Sequence, residues 1–173
     1  MSKVELLALL AVGAVLAGCA GPPEEEATTD ADRFAQLVVE TQQMMAADSQ
    51  VDQEQYDLLD VAATRGELTL DDLTTALRGN AECLEAAGFK TGGVVVDTEA
   101  IPASAHLAYL TPPADMPENQ AMALINGCDA RYFKYVSRVY GFQPQSQNAY
   151  WEKADELAPQ IRACLEEQQI PRD

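Results

Sequence analysis

The sequence predicts an α+β domain, mostly helical, with about five helices and one β-hairpin, stapled by a disulfide. Three observations predict it. Apolar residues recur at spacings of three and four in five separate stretches. Two short runs of strand-forming residues follow a Gly-Gly pair and flank a Pro-containing segment. Cysteines fall on the predicted helix faces. The chain has 173 residues and is 47% hydrophobic, enough for one ordinary domain and too apolar for the disordered class.

The first helix starts at Asp30, read as its N-cap, and carries Phe34, Leu37, Val38, Thr41, Met44 and Met45 on one face. A second, shorter helix presents Tyr56, Leu59, Ala62 and Ala63 and stops at Arg65-Gly66. Thr69 and Asp72 form a capping-box pair, with Asp in place of the usual Glu. They open a third helix with Leu73, Leu77, Cys83, Leu84 and Ala87 inward, which Gly88 ends. After Gly92-Gly93, the run Val94–Val96 and a second run from His106 to Leu110 read as a hairpin with a loop of seven to nine residues.

A fourth helix runs from about Pro117 to Tyr140, with Met122, Ile125, Cys128, Tyr132, Tyr135, Val136 and Val139 on its apolar side. A fifth, from about Asn148 to Gln168, carries Trp151, Leu157, Ile161, Cys164 and Leu165. Pro159 lies inside it and predicts a kink or a late start, because proline removes a helix hydrogen bond.

The N-terminus has a different grammar. Lys3 is followed by Leu6–Ala17, twelve apolar residues, a signal-peptide core well short of the ~20 needed to span a bilayer. It ends in Leu16-Ala17-Gly18-Cys19, which resembles the lipobox of bacterial lipoproteins. The resemblance implies cleavage before Cys19, a diacylglyceryl group on its thiol, and a lipid-anchored location on the outer face of a bacterial cell membrane. Two acyl chains on one residue meet the requirement for stable membrane association. The organisation expected is then a signal peptide over 1–18, a lipidated flexible tether over 19–29 (two prolines and three consecutive glutamates), and one globular domain over 30–173.

With Cys19 lipidated, Cys83, Cys128 and Cys164 remain. Export places them where a disulfide persists. Three thiols allow one pair. Cys83–Cys128, closing a loop around the hairpin, is the favoured bridge, with 128–164 and 83–164 as alternatives. The leftover thiol reads as a buried small hydrophobe. Cys83-Leu84-Glu85 and Cys164-Leu165-Glu166 occupy similar frames near two helix ends. Together with Gly66-Glu67-Leu68-Thr69 and the run Cys128 to Tyr140, they give an order of motifs over about 65–168 that resembles a group of small exported lipoproteins of actinobacteria. That resemblance implies a helix–hairpin–helix scaffold with cysteine staples and no catalytic residues.

Direct signals of chemistry are few. A net charge of −17 and a pI near 4.2 leave no basic face for nucleic acid. No C-x-x-C motif supports a redox role. His106 is the single histidine and reads as an edge-strand surface residue; Ser104 two positions earlier lacks a nucleophile elbow. Asp48, Asp52, Asp57 and Asp60 precede Gly66, but a calcium loop in that register would place Val61, Ala63 and Arg65 at ligand positions. No metal site and no cofactor is implied.

Seven aromatics lie between Tyr132 and Trp151. Their helical spacing points mainly to core, with Tyr140, Phe142 and Trp151 as candidates for an exposed recognition surface. The functional expectation is a membrane-anchored, non-enzymatic domain that binds an envelope partner or ligand. The alternatives are a cell-wall hydrolase using a carboxylate pair and a structural spacer or assembly factor.

Overall fold

The computed structural model describes residues 28–168; the expected signal peptide, Cys19 and most of the expected tether lie outside them. Among the described residues the order is α1 (Asp30–Ala46), α2 (Gln53–Arg65), α3 (Leu70–Ala86), β1 (Lys90–Thr91), β2 (Val94–Asp97), β3 (Ser104–Leu107), β4 (Leu110–Thr111), α4 (Glu118–Tyr132), α5 (Lys134–Phe142) and α6 (Pro144–Glu167). The fold is α+β and mostly helical, with six helices in place of about five.

Local signals explain the first three helices. α1 is capped by Thr29, one residue before the expected Asp30. The Asp32 N–H donates to the Thr29 hydroxyl oxygen at 3.1 Å and the Thr29 N–H to the Asp32 carboxylate at 3.0 Å, satisfying donors the helix itself cannot. α2 ends where Gly66 adopts φ +88°, a conformation that costs glycine little. Thr69 and Asp72 form the expected capping box, and Arg65 pairs with the same Asp72 carboxylate.

β2 pairs antiparallel with β3 from Val94↔Leu107 to Asp97↔Ser104, and β1 with β4 through Lys90↔Thr111. The Gly92 N–H donates to the Tyr109 carbonyl and the Ala108 N–H to the Gly93 carbonyl, both at 3.0 Å, so the two short sheets form one ribbon. Its loop is residues 98–103, shorter than expected, because the second strand begins at Ser104. The Asp97 carboxylate accepts the Glu99 and Ala100 N–H groups at 2.9 and 3.0 Å and so closes this turn with its own side chain.

The expected single helix from Pro117 to Tyr140 is two. Phe133, at φ −128° and ψ −40°, breaks it, and Gln55 of α2 occupies the break. Its amide Nε2 donates to the Ala130 and Arg131 carbonyls at 2.9 and 2.8 Å. Its Oε1 accepts the Tyr135 and Val136 N–H groups at 3.0 and 3.4 Å. One side chain thus serves the last carbonyls of α4 and the first N–H groups of α5, which a helix leaves orphaned. The break resets the phase of the apolar face. Tyr135, Val136 and Val139 are buried, while Met122, expected inward, is exposed, and α4 buries Ala121, Cys128 and Ala130.

Two apolar clusters result. The larger joins Phe34, Val38 and Met45 of α1 to Leu59, Leu73, Val136 and Val139. The smaller joins Leu84, Phe89, Ala121 and Cys128. Met44, read inward from sequence, is exposed; Met45 beside it is fully buried.

Candidate functional site

Cys83 of α3 and Cys128 of α4 are joined, with Sγ–Sγ 2.07 Å and Cα–Cα 5.7 Å. The alternative pairings with Cys164 do not occur. Cys164 is an exposed free thiol near the end of α6, which corrects its reading as a buried small hydrophobe. The rest of α6 explains why. Only Pro144 and Ser146 are buried in the helix, so its later turns run past the body of the domain. Of the residues read as its inward face, Trp151 and Ile161 are exposed and Leu157 and Leu165 half-buried.

α6 is nonetheless firmly seated at its start. The buried Gln143 accepts the Leu68 N–H at Oε1 and donates to the Leu68 carbonyl from Nε2, each at 2.9 Å. Pro144 then opens the helix at a position where no N–H is needed. Asn148 reaches Asp30 of α1 at 3.3 Å. The helix begins four residues earlier than expected and continues through Pro159. Pro159 is exposed and two residues from both Leu157 and Ile161, on the opposite side of the helix.

Opposite the later turns of α6 stands the hairpin loop. The half-buried Tyr140 donates its hydroxyl to the Ala103 carbonyl at 2.7 Å, and burial pushes its phenol pKa up. Tyr140 therefore pins the loop, which removes it from the exposed recognition surface expected of it. The loop presents Ile101, 45% exposed. Between Ile101 and the α6 residues Tyr150, Ala154, Leu157, Ala158 and Ile161 lies a slot of about 410 Å³, flanked by Lys153 and Arg162. Trp151, 60% exposed, stands edge-on to Tyr150 with ring centroids 5.2 Å apart. Phe142, also exposed, lies under the Arg138 guanidinium at 5.5 Å. Of the three candidate aromatics, Trp151 thus stands beside the slot wall and Tyr140 behind it, while Phe142 takes a cation.

The other cavities are more polar. One of about 540 Å³ lies beside the disulfide and carries the Asp52–Arg131 pair, 3.5 Å apart. Another, of about 400 Å³, has Asp52, Glu54 and Glu82 in its wall. A hydrolase built on two carboxylates needs one acid held protonated. Burial pushes the Asp129 carboxyl up, opposed by Lys134, but Asp129 lines neither cavity. His106 is exposed on β3, and among the described residues no group of three or more His, Cys, Asp or Glu could hold a metal ion.

Asp129 carries a stability prediction. Its folded carboxyl titrates above the ordinary value, so the native state disfavours its charge. The native state therefore loses stability as pH rises from about 3.9 through the raised value. Asp129→Asn is expected to raise the thermal midpoint at pH 7 and to leave it nearly unchanged at pH 3. Scanning calorimetry at the two pH values measures this.

Comparison of the chain with known protein families, curated proteins and solved structures finds no match. The slot therefore stands on its geometry alone. Sequence reasoning missed it although one signal was present. Tyr150, Ala154, Leu157 and Ile161 recur at spacings of four, three and four, a stripe that reads as core whether or not the chain covers it.

Proposed function

We propose that this chain is an exported lipoprotein of the small actinobacterial kind, anchored through Cys19 to the outer face of the cell membrane, and that its domain is a non-enzymatic binding module. The observation that carries the binding role is the slot between α6 and Ile101. It is walled mainly by aliphatic side chains and Tyr150, with the cations Lys153 and Arg162 at its margins, and a mostly apolar hollow with a few polar groups is the form of a ligand site. Its volume falls at the lower end of the roughly 300–1,000 Å³ typical of ligand pockets. The anchor is supported by Leu16-Ala17-Gly18-Cys19. The Cys83–Cys128 bridge suits an oxidising compartment outside the cytoplasm.

Two measurements test the two halves separately. The intact mass of the membrane-extracted protein is expected to correspond to a chain starting at Cys19 plus a diacylglyceryl group, with one disulfide. Cys19→Ser is expected to release the protein from the membrane fraction, and a variant that still sediments entirely with the envelope refutes the anchor. For the binding role, the wild-type chain is expected to retain a partner or ligand from native membranes that Ile101→Asp and Trp151→Ala lose. Equal recovery by all three chains removes the slot from consideration.

A further inference from the structure

We infer that the slot receives the hydrocarbon chain of a single-chain anionic amphiphile, a long-chain carboxylate, with its tail along α6 and its head at Arg162. The inference rests on the reading of the slot as a binding site and goes further by naming the chemical class bound.

Charge gives the first argument. The protein carries a net charge of −17, yet the residues that line the slot include two cations, Lys153 and Arg162, and no acid; Glu152 and Glu156 line the adjoining cavity, which shares Ile101 and Lys153 with the slot. An apolar trough with cations and no carboxylate in its wall is complementary to an apolar tail that ends in an anion.

Length gives the second. From Tyr150 to Ile161 a helix rises about 16 Å. One acyl chain spans one leaflet, half of a hydrocarbon core about 30 Å thick. Tail and trough therefore match end to end.

The position of the head follows from the partners of the two cations. The Lys153 ammonium donates to the Glu156 carboxylate at 2.7 Å, so an anion at that end meets a carboxylate as well. Arg162 donates its Nε to the Ala158 carbonyl at 3.3 Å, one turn back on its own helix, and this contact orients the guanidinium at the end of the trough. A planar guanidinium suits a carboxylate better than an ammonium does.

The test uses the chain from position 19 onward with Cys19→Ser, which lacks both the acyl groups and the apolar Leu6–Ala17 segment and so needs no detergent. The probes are laurate and the uncharged dodecanol, each below its aggregation concentration. Trp151 is the only tryptophan of the chain and stands against the slot wall, so its emission reports occupancy. Laurate is expected to change that emission saturably at one equivalent. Leu157→Glu and, on the opposite wall, Ile101→Asp are expected to abolish the change, with unaltered circular dichroism showing that each variant folds. Arg162→Gln is expected to weaken laurate about tenfold, the loss of one charge-assisted contact, and to leave dodecanol unaffected.

No saturable change with laurate overturns the inference. Equal weakening of both probes by Arg162→Gln overturns the placement of the head. If laurate fails while Ile101→Asp still abolishes capture of a protein from native membranes, the slot remains a binding site and only the amphiphile is lost. If laurate fails and Leu157→Glu converts a dimer to a monomer in sedimentation, the trough belongs to a second copy of the chain and the inference falls.

Discussion

Gln55→Leu is expected to destabilise the protein by about 3–5 kcal/mol, the upper range for a single substitution, because it orphans several buried polar groups at once. Gln55 is fully buried and its amide makes four hydrogen bonds to backbone on both sides of the α4–α5 break. Leucine fills much of the same volume and satisfies none of them. Gln55→Glu separates the two halves of the network. It keeps an acceptor for the Tyr135 and Val136 N–H groups but sets a carboxylate against the Ala130 and Arg131 carbonyls, so it too is expected to lose stability, most strongly at high pH. Urea unfolding with an unchanged slope and a lowered midpoint is the expected signature. A loss below about 1 kcal/mol for Gln55→Leu, the scale of one ordinary hydrogen bond, refutes the bridging role. The consequence reaches the slot, since α5 carries Tyr140, whose hydroxyl holds the Ala103 end of the loop.

The contrast between Gln55 and Gly66 shows what a sequence of this kind makes legible. Gly66 and the Thr69–Asp72 box act on residues within a few positions of themselves, and the hairpin's strands pair across a short loop, so α2, α3 and the hairpin can be read directly. The break at Phe133 cannot. Apolar residues continue across it at helical spacing, and the side chain that stabilises it comes from α2, some 75 positions earlier. Gln143 is a second case. Hydropathy places a glutamine on the surface, yet its pairing with the Leu68 backbone buries it and aims α6. The slot was half legible. The stripe from Tyr150 to Ile161 is plain, but periodicity reports that a face is apolar and says nothing of whether another element covers it. Only the early end of α6, fixed by Gln143, Pro144 and Asn148, reveals that the later turns overhang the loop. The exposed Cys164 follows from the same overhang.

Removing the disulfide by the paired change Cys83→Ser and Cys128→Ser is expected to cost about 4 kcal/mol, the chain-entropy value for a loop of this size; the two residues are 45 positions apart. The loss is expected to be uneven. Cys128 belongs to the smaller apolar cluster with Leu84, Phe89 and Ala121, and Cys83 packs against it, so hydrogen exchange should quicken first in α3, α4 and the ribbon base around β1 and β4. The slot stands elsewhere. Its helix is seated on Leu68 and Asp30 through Gln143 and Asn148, and its loop is pinned from α5 by Tyr140. All of these attachments lie on the side of the larger cluster. Laurate binding by the doubly substituted chain, measured below its unfolding transition, is therefore expected to match that of the chain with the bridge intact. Loss of binding in step with loss of the bridge would mean that α4, and not α5, holds the loop wall in place. Single substitutions make a poor test, because each leaves a free thiol that an oxidant can couple to the exposed Cys164 in a bridge the unaltered chain does not have.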